Sequence, residues 1–108
     1  MPAPLSTGSA IGVDIGGTNI RAARVDHEGR LSGLLKVRTE SASDAASAVI
    51  DLCRELQSDD VEAVGIGVPG RLDRDRTTVL SSGYVQLAGQ RLGQVVSEAL
   101  ARPVVLEN

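Results

Sequence analysis

The residues best suited to chemistry are concentrated in the hexapeptide DIGGTN, from Asp14 to Asn19. Glycines at positions 16 and 17 permit backbone angles that other residues avoid, and they remove side chains that would block a ligand. Successive amide N–H groups in such a turn converge on an anion, and Thr18 adds a hydroxyl donor. A bare carboxylate repels phosphate, so the natural role of Asp14 there is to hold Mg²⁺ or its waters. A plain glycine hairpin with Asp14 capping the turn explains the same six residues equally well.

A second glycine cluster, GIGVPG from Gly65 to Gly70, matches the G-x-G-x-x-G pattern of dinucleotide-binding turns. That pattern is informative only where it joins a strand to a helix and an acidic residue follows about 20 positions later. Here the glycines begin inside an apolar run, Pro69 follows them, and the next residues, RLDRDRTT, do not resemble a helix. We therefore interpret Gly65 and Gly67 as positions of close packing and Pro69-Gly70 as a turn.

Three strands are predicted around the first glycine turn. They are Ile11 to Ile15, Ile20 to Val25, and Leu31 to Val37 after a turn at Asp26 to Arg30. Strands joined by such short turns form an antiparallel meander. The first nine residues are small, polar or proline, and we interpret them as a loose tail.

The pattern then changes to a helix followed by a strand. Ser43 is a candidate N-cap, with Asp44 in the first helical turn. The apolar residues that follow at spacings of three and four are Ala46, Val49, Ile50, Cys53 and Leu56. The next apolar run, Val61 to Val68, is typical of a strand covered on both faces.

The last third of the chain repeats this order. A short strand is predicted around Val79 and Leu80, and Pro103 after Arg102 ends a second helix. The predicted apolar side of that helix comprises Leu92, Val95, Val96, Ala99 and Leu100. Val104 to Leu106 begins another buried strand. The order β-β-β-α-β-(short β)-α-β predicts an α/β fold with a mixed sheet and helices packed on it.

Composition excludes several classes of function. The net charge is −3 and Tyr84 is the single aromatic residue, which argues against a nucleic-acid partner. Cys53 is the single cysteine, so no internal disulfide forms, and a buried small thiol is the simplest interpretation. No signal peptide and no apolar stretch of about 20 residues is present. We therefore expect no membrane partner, and we expect a cytoplasmic location.

Three segments in order, VDIGGTNIRAARVD, AVGIGVPGRLDRDRTTVL and RPVVLEN, resemble the ROK family of sugar kinases and related repressors. This family belongs to the sugar kinase, Hsp70 and actin superfamily. The resemblance extends from about Ala10 to Asn108 and implies a ribonuclease H-like, actin-like ATPase lobe. It implies an N-terminal lobe at residues 10–108, after a tail at 1–9, with the second lobe beyond this chain.

The resemblance also implies which residues bind ligands. The residues expected at the phosphates of ATP are Gly16, Gly17, Thr18 and Asn19, with Asp14 near the phosphates and Mg²⁺. The residues expected to contact or border the sugar are Pro69, Gly70, Arg71, Ser82, Gly83 and Asn108. Arg21 matches a basic position often seen after the family's glycine turn, although a solvated hairpin arginine is an equal alternative. The family usually continues with a catalytic Asp directly after the residue matched by Asn108.

The intact protein is therefore expected to phosphorylate a hexose or N-acetylhexosamine with ATP and Mg²⁺, and the 108 residues alone are expected to be inactive. The resemblance allows a homodimer of the intact protein. Two alternatives are a sugar-responsive transcriptional regulator of the same family and an actin-like structural ATPase. Only about nine residues precede the first strand, too few for a DNA-binding domain, and the VPG and LEN segments argue against the ATPase.

Overall fold

The computed structural model describes residues 8–39, 44–69, 71–72, 74, 79–81 and 91–107. Its elements, in chain order, are β1 (Ser9–Ile15), β2 (Asn19–Val25), β3 (Leu31–Arg38), α1 (Ala45–Leu56), β4 (Val61–Gly67), β5 (Arg71–Leu72), β6 (Val79–Ser81), α2 (Leu92–Leu100) and β7 (Val104–Glu107). No helix in the described residues is long and apolar enough to span a bilayer. β5 is an addition to the predicted order, and β1 takes in Ser9 from the predicted tail.

Five strands form one mixed sheet in the order β3-β2-β1-β4-β7. β1, β2 and β3 pair antiparallel as a meander, whereas β1, β4 and β7 run parallel. α1 connects β3 to β4, and α2 precedes β7, as crossovers between parallel strands require. β5 and β6 pair separately as a two-stranded ribbon. The predicted α/β fold, with a meander leading into β-α-β crossovers, is confirmed.

The hydrophobic core lies between the helices and one face of the sheet. Alternate residues of β1, β4 and β7 point into it, and Ile11, Ile66 and Leu106 are at most 1% exposed. From the helices, Val49 and Val96 are fully buried against this face. The expectation that β4 is covered on both faces, and that β7 is a buried strand throughout, is wrong within the described residues. Gly65 is exposed and Val105 is 50% exposed, because both described helices pack on the opposite face.

The helices differ from the sequence prediction in detail. Asp44, not Ser43, is the N-cap of α1, because Asp44 has extended backbone angles and its carboxylate accepts from the N–H of Ala46 at 3.2 Å. In α2 the predicted apolar side is partly wrong, since Val95 is 44% exposed and Ala99 is also exposed. The core-facing residues of that helix are Leu92, Gly93, Val96 and Leu100, a narrower stripe at spacings of mostly four. The helix ends before Pro103 as expected.

Candidate functional site

The glycine turn between β1 and β2 is closed by its own backbone. The N–H of Gly16 donates to the carbonyl oxygen of Asn19 at 2.9 Å. A Cβ at position 16 would lie 3.1 Å from that oxygen, so glycine is favoured there by lack of space. Neither Gly16 nor Gly17 uses the positive φ that glycine permits, since the described glycines with positive φ are Gly29 and Gly33. The turn depends on the small size of Gly16.

Thr39, directly after β3, donates two hydrogen bonds to this turn. Its hydroxyl donates to the carbonyl oxygen of Gly16 at 2.7 Å, and its N–H donates to the carbonyl oxygen of Thr18 at 2.9 Å. The residue is 4% exposed. Two carbonyl groups of the turn are thereby held toward the protein, and the turn has a fixed orientation.

The amide groups of the same turn remain available. In the described part of the chain, the N–H groups of Gly17 and Thr18 donate to no acceptor, and both residues are exposed. Because the carbonyl groups of the turn are bonded to Thr39, the free N–H groups are left facing outward. Such a concave set of N–H donors binds anions in proteins. Asp14, Asn19 and Arg21 line the same depression.

Asp14 lies in a row of paired residues that crosses the sheet on its open face. It pairs with Arg21 of β2 on one side and with Gly67 of β4 on the other. Arg21 pairs in turn with Lys36 of β3, and Gly67 with Glu107 of β7. Paired residues of adjacent strands point to the same face. The row lies at the carboxyl ends of the parallel strands, where open α/β sheets bind ligands.

The carboxylate of Asp14 is exposed and accepts no hydrogen bond from the described residues. The alternative in which Asp14 caps a plain hairpin turn therefore has no support. A Cβ at Gly67 would lie 3.6 Å from Asp14 Oδ1, so glycine leaves open space beside this oxygen. The described residues contain no group of three or more His, Cys, Asp or Glu that would hold a metal by itself. One carboxylate with room for water fits Mg²⁺, which is usually bound by one or two carboxylates and by substrate phosphates.

The structure brings part of the predicted sugar-binding set near this edge. Pro69 is half-buried after β4, and the N–H of the preceding Val68 donates to the carbonyl oxygen of Glu107 at 2.7 Å. The segments that lead to positions 70 and 108 are therefore adjacent. Arg71 pairs with Ser81 in the β5–β6 ribbon. Gly70, Ser82, Gly83 and Asn108 lie outside the described residues.

Sequence patterns alone do not identify the roles of two residues of this site. Thr39 follows a strand 23 positions after Gly16, and no local pattern connects them. For Arg21 the sequence allows two alternatives, although the alternation of β2 places it on the same face as Asp14. Cys53 is fully buried, and burial raises the pKa of its thiol to about 11, so it is a packing residue as predicted.

Comparisons with known proteins give one consistent result. A family model described as the ROK family matches residues 10–108. A glucokinase of Streptomyces coelicolor is 37% identical over 105 residues, which cover 94% of this chain and 32% of that protein. The N-acetyl-D-glucosamine kinase of Citrobacter koseri is 37% identical over 101 residues, covering 90% of this chain and 33% of that protein.

Structural similarity points the same way. A ROK glucokinase from Streptomyces griseus, solved in complex with glucose and AMPPNP, matches with a TM-score of 0.82 and 40% identity. The match covers 94% of this chain and 33% of that protein. The chain thus spans about a third of the length of the relatives that it matches.

Proposed function

Because the chain belongs to the ROK family, we propose that it is the phosphate-binding part of an ATP-dependent sugar kinase. The reaction is transfer of the γ-phosphoryl group of ATP to a hydroxyl of a hexose or N-acetylhexosamine. One observation carries this proposal: the N–H groups of Gly17 and Thr18 are free while Thr39 holds the carbonyl oxygens of Gly16 and Thr18. Central amides are free in ordinary hairpin turns as well, so the distinguishing feature here is that Thr39 holds both carbonyl oxygens on the protein side.

The proposed roles follow from the charges and donors of the site. Phosphoryl transfer requires positioning and charge stabilisation more than covalent chemistry. The amides of Gly17 and Thr18 and the hydroxyl of Thr18 bind phosphate oxygens, and Asn19 borders them. Asp14 holds Mg²⁺ directly or through water. When bound, Mg²⁺ supplies positive charge that offsets the negative charge of the phosphates.

The sugar is proposed to bind on the β4 and β7 side of the same edge. Pro69, Gly70, Arg71, Ser82, Gly83 and Asn108 are the proposed contacts. Support comes from the hydrogen bond between Val68 and Glu107, which keeps the two flanking segments side by side. The curated relatives are named for glucose and for N-acetyl-D-glucosamine, so these two sugars are the first substrates to test.

We further propose that residues 10–108 are the N-terminal lobe and that catalysis needs chain beyond them. The relatives are about three times as long as the matched part. The catalytic base is proposed to be an Asp following Asn108. On this proposal the 108 residues alone produce no ADP with either sugar.

The test is a coupled assay of ADP release by the intact protein that contains this lobe, with glucose, N-acetylglucosamine and no sugar. The expected result is sugar-dependent turnover that requires both ATP and Mg²⁺. Sugar binding without turnover would instead favour the regulator, and sedimentation of the protein on addition of ATP would favour the structural ATPase. Turnover by the 108-residue chain alone would contradict the proposed division of the site between lobes.

A further inference from the structure

Arg21 lies on the open face of the sheet directly beside Asp14. The two residues are partners in the β1–β2 ladder, and both line the depression formed by residues 16 to 19. Directly opposed residues of antiparallel strands have Cβ atoms about 4.5–5.5 Å apart, so a long side chain at position 21 reaches well beyond the carboxylate of Asp14. The guanidinium of Arg21 is therefore within reach of a ligand held over the turn.

The guanidinium of Arg21 has no partner in the described part of the chain, neither Asp14 nor a carbonyl group. Two other arginines of the described residues do have backbone partners inside the fold. Arg24, three positions along the same strand and on the other face, donates from Nε to the carbonyl oxygen of Leu56 at 2.9 Å. Arg102 donates from Nε to the carbonyl oxygen of Val61 at 2.7 Å. The side chain of Arg21 thus makes no bond among the described residues that would explain its position.

The charges of the site explain why a cation is useful there. Asp14 repels an approaching polyphosphate, and the free amides of Gly17 and Thr18 carry only partial positive charge. A guanidinium next to Asp14 offsets this repulsion, and its planar set of donors matches phosphate oxygens in a two-point contact. Lys36, the next cation in the row, lies one strand farther from Asp14.

We infer that Arg21 is a phosphate-binding residue whose guanidinium contacts the phosphate oxygens of the nucleotide held over residues 16–19. This inference rests on the proposed function, because it takes the ligand of the turn to be a nucleoside triphosphate. It replaces the alternative of a solvated hairpin arginine, and it adds a side-chain contact to a site otherwise made of backbone donors.

The test compares ligands that differ only in their phosphates, using the intact protein. Binding of ATP, inorganic tripolyphosphate and adenosine is measured by calorimetry for the wild type and for Arg21→Lys, Arg21→Gln and Arg21→Ala. Loss of a charge-assisted contact is expected to weaken ATP and tripolyphosphate binding about 10- to 100-fold in the Ala and Gln variants. The Lys variant is expected to fall between these and the wild type, and adenosine binding is expected to stay unchanged in all.

Two control variants separate this effect from net charge. Lys36→Ala removes a cation from the same row, and Arg30→Ala removes one from the exposed turn at the far end of the strands, where Arg30 forms an ion pair with Glu28. Both are expected to change ATP binding less than about threefold. Equal weakening by Arg21→Ala and Arg30→Ala would overturn the inference, because it would mean that only overall charge matters.

Failure of this inference can be distinguished from failure of the proposed function. If the wild type binds ATP and the Gln variant binds it equally well, Arg21 has no role and the proposed function stands. If the wild type binds neither ATP nor tripolyphosphate, both proposals are wrong. If Arg21→Ala lowers the melting temperature, the criterion is the order of ATP affinity among the other proteins, with wild type highest, Arg21→Lys next and Arg21→Gln lowest. The Lys and Gln side chains are long enough to preserve packing along the strand.

Discussion

The hydroxyl of Thr39 donates to the carbonyl oxygen of Gly16 at 2.7 Å and joins the end of β3 to the turn between β1 and β2. This bond and the one from the N–H of Thr39 to the carbonyl of Thr18 fix the turn from the inside. The orientation of the free amides therefore depends on a residue that need not touch the ligand. We expect the turn to be preorganised before nucleotide binds, which lowers the entropy cost of binding.

Replacing Thr39 by valine tests this bracing. Valine has nearly the same shape but leaves the carbonyl of Gly16 without its hydroxyl partner, while the backbone N–H can still donate to Thr18. We expect the free energy of unfolding to fall by about 1–3 kcal/mol. We also expect the KM for ATP to rise with little change in the KM for sugar. Urea denaturation and steady-state kinetics on the intact protein measure both.

Thr39→Ser is the matched control, since it keeps the hydroxyl and removes one methyl group. It is expected to restore nucleotide affinity while still losing some packing energy. If Thr39 had a purely structural role, each variant would lose affinity for ATP and affinity for sugar to the same extent. That outcome, or a normal KM for ATP in the valine variant, would contradict the preorganised turn.

The open space beside Asp14 gives a prediction about metal dependence. Gly67→Ala places a methyl group 3.6 Å from Asp14 Oδ1, an ordinary contact distance, so the fold is expected to tolerate it. The methyl group occupies the space proposed for Mg²⁺ or its waters, and the Mg²⁺ concentration for half-maximal activity is expected to rise about 10-fold. A Mg²⁺ titration at saturating sugar measures this change.

Gly65→Ala is the control for the preceding change, because Gly65 lies on the same face two positions earlier. Among the described residues, no atom beyond its chain neighbours lies within 4 Å of the point where a Cβ would stand. Both variants remove glycine from a strand, and each is expected to change stability by no more than about 1 kcal/mol. An identical Mg²⁺ response in the two variants would argue that position 67 does not adjoin the metal.

Cys53 gives a prediction about pH and reactivity. Burial raises the pKa of its thiol from 9.0 to about 11, so the folded state keeps the proton that the unfolded state loses at lower pH. The contribution of this group to stability is therefore complete below pH 9 and is lost as the pH rises from 9 toward 11. At about pH 8 the native thiol is expected to resist a disulfide reagent and to react rapidly in urea. Rapid reaction of the native protein would contradict the buried position.

Local patterns in the sequence were sufficient for the main elements of this lobe. The meander, both crossovers and the position of the glycine turn follow from alternation and turn residues within short windows. The N-cap of α1 is a finer matter, since Ser43 and Asp44 are both good capping residues. The extended angles of Asp44, φ −153° and ψ 124°, identify it as the residue that precedes the helix.

What the sequence did not indicate depends on contacts between distant residues. The run at β4 indicates a strand buried on both faces because all its residues except Glu62 are apolar or glycine, but Gly65 and Ala63 have too little side chain to show which face is covered. The role of Thr39 depends on a hydrogen bond across 23 residues. Arg21 and Arg24 lie on the same strand but point to opposite faces of the sheet. Arg21 therefore lies near the candidate ligand, whereas Arg24 bonds to the end of α1.

The strongest test of the site is Asp14→Asn in the intact protein, which removes the charge and keeps the size of the side chain. Asp14 is exposed and its carboxylate has no partner among the described residues, so stability is expected to change by less than about 0.5 kcal/mol. Phosphoryl transfer is expected to fall on the order of 100-fold, because the metal loses its carboxylate. Metal-free ATP is expected to bind the variant as tightly as the wild type or tighter, since the repulsion between carboxylate and phosphate is gone. The gain in affinity on adding Mg²⁺ is expected to disappear.

Calorimetry with and without Mg²⁺ separates these effects, and Asp51→Asn, on the exposed side of α1, is the control. If the Asp14 variant lost stability and activity to the same extent, DIGGTN would be a structural hairpin and the proposed phosphate site would be wrong.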